Sequence, residues 1–277
     1  MKPPTSLLHL PIALLATTTL ASRILNIVAH EDDDLLFMNP HILSHIASGD
    51  DIRTLFLTAG DAGLGAEYWT SRQAGSLAAY AEMAGVENTW EESDLGIPGR
   101  DIPLYTLGGR DQISLAFLHL PDGSNDGGGF PSTGQQSLEK LWKGSIGQID
   151  TVDGSGAAYT GGELVDALVQ VITGYGPDEL NSQDFVDDFG SGDHSDHTAG
   201  ALFVNEAAAV SGFADAVTPF EGYPVKNFPS NVDGEGLAAK KAAFYTYSAF
   251  DTAACASDQS CSATEYEAWL QREYPVN

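Results

Sequence analysis

The stretch that decides the fold is Ile24-Leu25-Asn26-Ile27-Val28-Ala29-His30-Glu31-Asp32-Asp33-Asp34. Residues 24–29 form a short apolar run bounded by turn-forming and charged residues, the pattern of a strand buried on both faces. The chain then turns abruptly polar, with one histidine and four carboxylates in a row. Doubly wound sheets place their ligand sites where strands end, at the carboxyl edge. A histidine and a carboxylate three residues on can share a metal there, leaving another carboxylate free to handle a proton. The competing reading is plainer: an acidic cluster capping a helix N-terminus, where the dipole favours negative charge.

Working outward, residues 34–48 read as a helix and 52–58 (IRTLFLT) as a second buried strand, followed by the glycine-rich GDAGLG at 60–65. Helical spacing returns over 68–84. A strand is expected over 113–120, ending at the Pro-Asp-Gly of 121–123. Helices follow around 137–142 and over 162–173, then a strand near 178–182. A further helix starts near 193–197 and runs through 209. Two last helical stretches, 236–250 and 263–274, should pack on the same core. Strands alternating with helices imply an α/β fold: a single Rossmann-like domain with a doubly wound, mostly parallel sheet and helices on both faces.

Composition narrows the function. The chain has 277 residues, 43% of them apolar, enough to bury a core. Aromatics at 9% and a mean hydropathy of −0.11 exclude a disordered acidic tail. Twelve Lys and Arg against 39 Asp and Glu give a net charge of −27. That balance excludes nucleic acid as a partner, because phosphate backbones are recognised through clustered cations. Anionic membrane surfaces are disfavoured for the same reason.

The N-terminus sets an expectation for the compartment. Lys2 precedes an apolar stretch over 7–20, followed by small residues, the order of a secretory leader. Cleavage after Ala21 would leave 22–277 as the mature chain, secreted and extracellular. The alternative is an ordinary N-terminal helix. No segment has the run of about 18 apolar residues that a spanning helix needs, so no membrane anchor is expected. Cys255 and Cys261 are the only cysteines, and in an oxidising compartment they read as a local disulfide.

A second polar segment, Gly192-Asp193-His194-Ser195-Asp196-His197, follows another expected strand and opens a helix. Three histidines, 30, 194 and 197, thus fall at strand-to-helix junctions beside carboxylates. Two histidines and a carboxylate with positions left open make the ligand set of a hydrolytic zinc site. His9, His41, His45 and His119 lack that setting and read as leader, surface or core residues.

With both segments in view, the chain resembles the PIG-L/LmbE-like N-acetylglucosaminyl deacetylases. Their first motif, Ala-His-Pro-Asp-Asp-Glu, stands here as Ala29-His30-Glu31-Asp32-Asp33-Asp34. Their His-Pro-Asp-His stands as His194-Ser195-Asp196-His197. The resemblance extends over about 24–209, and TAGDAGLGAEYW (58–69) is similar to a secreted microbial branch.

The resemblance implies one Zn2+ per chain, held by His30, Asp33 and His197. It implies Asp32 as general base, His194 as the histidine assisting at the scissile carbonyl, and Asp196 as a carboxylate supporting the site from behind. The substrate it implies is an N-acetylated amino sugar or glycan. Glu31 and Ser195 replace prolines, Asp34 replaces a glutamate, and Gly192 stands where some members carry a tyrosine. None of these changes removes a ligand.

Weaker features get weaker readings. GDAGLG lacks the order and context of a dinucleotide loop. Residues 122–127 begin like a calcium loop, but position twelve would be Thr133 instead of Glu. Asp187 and Asp188 read as solvated loop charges. Arg72 is expected to reach substrate hydroxyls, against the alternative of an ion pair with a surface carboxylate. Two rival functions stay open: a non-catalytic extracellular carbohydrate-binding protein on the same fold, and a related amidase acting on another N-acyl group. Oligomeric state is not legible.

Overall fold

The computed structural model describes residues 21–276, so the expected leader, apart from its last residue, lies outside the described residues. Among the described residues nine strands run in chain order: β1 (Arg23–Val28), β2 (Asp51–Thr58), β3 (Trp90–Asp94), β4 (Pro103–Leu107), β5 (Ile113–Leu120), β6 (Ile149–Asp150), β7 (Ala158–Tyr159), β8 (Glu179–Gln183) and β9 (Val217–Phe220). Seven of them form one sheet in the order β3-β4-β5-β2-β1-β8-β9, and β6 and β7 pair by themselves. From β5 to β9 every pairing is parallel, while β3 and β4 run antiparallel at one edge.

The helices are α1 (Asp33–Phe37), α2 (His41–Ser48), α3 (Ala66–Ala84), α4 (Leu138–Trp142), α5 (Gly161–Tyr175), α6 (Ser195–Ser211), α7 (Gly234–Ser248), α8 (Asp258–Cys261) and α9 (Glu265–Leu270). Alternation along β1 divides the core. Ile24 and Val28 face a cluster built with α1, α2, α3, α7 and α9, while Leu25 and Ile27 face one built with α4, α5 and α6. Helices therefore cover both faces, as a doubly wound parallel sheet requires.

Asn26, in the middle of β1, is buried and takes part in a polar chain. Asn181 Nδ2 donates to Asn26 Oδ1 at 3.0 Å, and Asn26 Nδ2 donates to Thr54 Oγ1 at 3.1 Å. Thr54 Oγ1 lies 2.5 Å from the Tyr80 hydroxyl, which donates to Asp34 Oδ2 at 2.6 Å. The chain links β8, β1 and β2 to α3 and α1, directly beneath the first motif. Most of its buried polar atoms find a partner, which is what makes such a network tolerable in a core; Asn181 Oδ1 is the exception.

The structure departs from the expected elements in several places. The helix expected over 34–48 is two helices, broken at Asn39-Pro40: proline has no N–H to donate and disfavours helical geometry in the residue before it. The β3–β4 hairpin was not expected, because Trp90-Glu91-Glu92-Ser93-Asp94 is an exposed edge strand with no apolar face to betray it. β9 was not expected either. It carries Pro219, which an edge strand tolerates. The helix expected over 263–274 shortens to α9, preceded by α8, and Cys255 and Cys261 are joined beside it with Cα atoms 5.1 Å apart.

Candidate active site

The strand order reverses between β1 and β8: β2 and β5 follow on one side, β8 and β9 on the other. The loops leaving the carboxyl ends of β1 and β8 meet at that switch point, where ligands of such sheets bind. These are the two loops that carry His30–Asp34 and Asp193–His197.

Asp33 stands between two histidines. Its Oδ2 lies 3.2 Å from His30 Nδ1 and its Oδ1 lies 3.0 Å from His197 Nε2. The His197 contact is close but off the line of a hydrogen bond, so this buried ring nitrogen has no hydrogen-bond partner. The other nitrogen, Nδ1, lies 2.8 Å from Asp193 Oδ1. In the neutral ring that contact places the proton on Nδ1 and leaves a lone pair on Nε2 aimed at Asp33. His30 is backed in the same way, with Nε2 3.3 Å from Asp196 Oδ2. Both aspartates come from the second motif loop, and such carboxylate–histidine pairs orient metal ligands.

Burial works against charge on His197, but Asp193 and Asp33 outweigh it and hold its pKa at about 10 in the absence of a metal.

The donor set fits a divalent ion. Two ligands about 2.0–2.1 Å from one tetrahedral ion stand roughly 3.3 Å apart, close to the separations of Asp33 from each ring. His30, His194 and His197 also bring ring nitrogens within 4.8 Å of one another. His194 is engaged elsewhere, however. It caps α6, its Nδ1 accepting the Asp196 N–H at 3.2 Å. The neutral tautomer therefore carries its proton on Nε2, which faces the cavity 3.7 Å from Asp122 Oδ1. Burial and the neighbouring His30 push His194 down to about 4, so it is neutral at pH 7.

The cavity itself has a volume of about 140 Å³ and is lined by His30, Asp32, Asp122 and His194 from the sheet edge and by Arg72 from α3. Tyr68, Tyr223, Asp251 and Tyr266 complete its wall. Asp32 accepts from Arg72 Nη2 at 2.9 Å and is pushed up to about 6 by burial, against the lowering pull of Arg72.

Arg72 lines the cavity but is buried, and its ion pairs are with carboxylates of the site instead of a surface carboxylate. Nη1 donates to Gly60 O at 2.6 Å, Nε donates to Tyr247 OH at 2.7 Å, and Asp251 Oδ2 lies 3.2 Å from Nε. Three of its five N–H groups are thus committed to the protein. Gly60 has φ +50°, and a Cβ there would run into Arg72 Nη1 and Glu31 Oε2.

Asp34 turns away to Tyr80, and Asp187 and Asp188 are exposed and do not line the cavity. Asp196 Oδ2 also accepts the Gly123 N–H at 2.7 Å, which ties the loop after β5 to the second motif. Sequence reasoning missed Asp122, Tyr68, Tyr223, Asp251 and Tyr266 as site residues, and the orienting role of Asp193. Asp193 left a trace as a carboxylate four residues before His197 at a helix start, while Tyr68 and Asp122 fall in segments that drew attention for other reasons.

The sequence pattern of the GlcNAc-PI de-N-acetylase family, PIG-L, matches residues 25–208. The chain belongs to this family. The PIG-L match takes in both motif loops and ends before Tyr223, Asp251 and Tyr266, so those wall residues lie outside it. N,N'-diacetylchitobiose deacetylase from Pyrococcus horikoshii is similar in structure, with TM-score 0.51 and 14% identity over 90% of this chain and 76% of that one.

A conserved protein from Thermus thermophilus has TM-score 0.48 and 16% identity over 90% and 84% of the two chains. The 4-carboxy-2-hydroxymuconate hydratase of Pseudomonas putida has TM-score 0.45 and 14% identity over 89% and 81%. At such identities the likeness of the first of these three, the deacetylase, speaks for the PIG-L fold and for nothing finer. No curated protein sequence matches the chain. No helix among the described residues is long and apolar enough to cross a membrane.

Proposed function

We propose that the protein is a secreted, zinc-dependent N-deacetylase acting on an N-acetylated amino sugar or glycan. The observation that carries the reading is the division of labour between adjacent aspartates: Asp33 lies between His30 and His197, while Asp32 faces the cavity. In this reading His30, Asp33 and His197 hold the ion. Bound there, zinc would supply the charge that polarises an amide carbonyl and acidifies a water.

The chain's own groups do the rest. Asp32, held by Arg72, accepts a proton from the attacking water as its oxygen bonds to the acetyl carbon. His194 Nε2–H donates a hydrogen bond toward the carbonyl oxygen as negative charge develops on it. The C–N bond breaks, the proton passes to the sugar nitrogen, and acetate and a free amine leave. One water enters and the atoms balance. Asp32, Asp122 and Asp251 give the cavity a negative wall, which favours neutral over sulfated or uronate-bearing substrates. The disulfide between Cys255 and Cys261 supports an oxidising compartment.

Acetate release from a panel of N-acetylhexosamines, chito-oligomers and acidic analogues, with and without a chelator, tests the reading. Chelator-sensitive release that is fastest on the neutral members is expected. Binding without any release would instead support a carbohydrate-binding protein.

A further inference from the structure

His41 and His45 stand four residues apart on α2, so both rings emerge on one face, with centroids 4.6 Å apart. Facing them is Glu179, the first residue of β8. Its Oε1 lies 2.5 Å from His41 Nε2 and its Oε2 lies 3.7 Å from His45 Nε2. One donor atom from each of the three residues lies within 4.8 Å of the others. We propose that His41, His45 and Glu179 form a second divalent-cation site, taking Zn2+, at the end of the sheet where the strands begin.

The supporting contacts are those of a metal site. Asp50 Oδ2 lies 2.7 Å from His45 Nδ1, which puts the proton on Nδ1 and leaves the Nε2 lone pair facing Glu179. Asn181 Nδ2 donates to Glu179 Oε1 at 2.9 Å and aims the carboxylate. Glu273 accepts the His41 backbone N–H at 2.7 Å and adds negative charge nearby. Lys240, whose charge acts on Glu273, is buried and spends its ammonium on the carbonyls of Trp269 and Arg272. Three carboxylates thus surround two imidazoles, a surplus of negative charge that a cation offsets.

All three donors are partly exposed, so waters can complete the coordination, as in a two-histidine, one-carboxylate set. An ion here would tie α2 to β8. At about 3.3 Å per residue, Glu179 lies roughly 13 Å along β8 from the end that leads to the second motif. The site is therefore separate from the cluster around Asp33, and its role is to fasten the fold. It does not depend on the proposed deacetylation.

Zinc titration of the metal-stripped full chain, with bound metal counted after equilibrium dialysis, tests the assignment. Wild type should bind two equivalents. His45→Gln and Glu179→Gln should each lose one, and Asp50→Asn should weaken that one by roughly 10–100-fold. His197→Gln should lose the other equivalent and keep this one, so the two sites can fail separately. Zinc should raise the Tm of His197→Gln but not of His197→Gln/His45→Gln. A wild type that binds one equivalent, lost in His197→Gln, overturns the proposal. So does a second equivalent undiminished in both His45→Gln and Glu179→Gln.

Discussion

Arg72 Nη2 lies 2.9 Å from Asp32 Oδ1, and the pair sits at the cavity wall with both side chains nearly buried. A buried guanidinium thereby fixes the one carboxylate of the first motif that faces the cavity without also lying between the two histidines. Arg72 reaches Asp32 from α3, and Asp251, beyond the end of α7, holds Arg72 in turn. The C-terminal segment is thus coupled to the reacting end of the sheet through one side chain.

Asp32→Asn should keep the metal and lose most hydrolysis, by on the order of 10²–10⁴ in kcat, the usual contribution of a positioned base. Elemental analysis beside a rate measurement checks this. Loss of metal together with activity would mean that the two aspartates have exchanged roles.

Arg72→Met should lower stability by about 3–5 kcal/mol, because it strands buried carboxylates without their partner. Urea unfolding measures it. Arg72→Lys should not restore stability, since one ammonium cannot reach Asp32, Gly60 O and Tyr247 together as the planar fork does.

Asp193→Ala frees His197 Nδ1, along with the backbone N–H groups of His194 and Tyr223, and should weaken metal binding by roughly 10–100-fold. A chelator competition titration reads the change. Unaltered affinity would remove Asp193 from the site.

Burial pushes the Lys240 ammonium down from 10.5 to about 7. The unfolded chain keeps the higher value, so the folded state carries a full penalty below pH 7 that is relieved as pH rises toward 10.5. Stability should therefore climb with pH across that window in wild type, relative to Lys240→Met. Urea unfolding at several pH values checks the difference in slope, and equal slopes would contradict it.

The parallel core was legible because β1, β2 and β5 are buried on nearly every residue and read as apolar runs. The clustered side chains of both motifs were legible because each lies in one short loop after such a strand. The wall was not. Tyr223, Asp251 and Tyr266 come from a segment that shows only helical spacing and a pair of cysteines, and tertiary packing alone brings them to the cavity. Glu31 was equally opaque: it is fully buried, and neither carboxylate oxygen has a hydrogen-bond partner, a placement no charge pattern foretells.

The proposed hydrolysis of an N-acetyl group by the paired motifs is open to direct measurement. The most direct measurement is a count of acetate and free amine released from an N-acetylglucosamine oligomer by wild type, by chelator-treated protein and by chelator-treated protein given zinc. Acetate and amine should appear in equal amounts, abolished by the chelator and restored by zinc. Release that persists in metal-free protein, or amine formed without acetate, would contradict it.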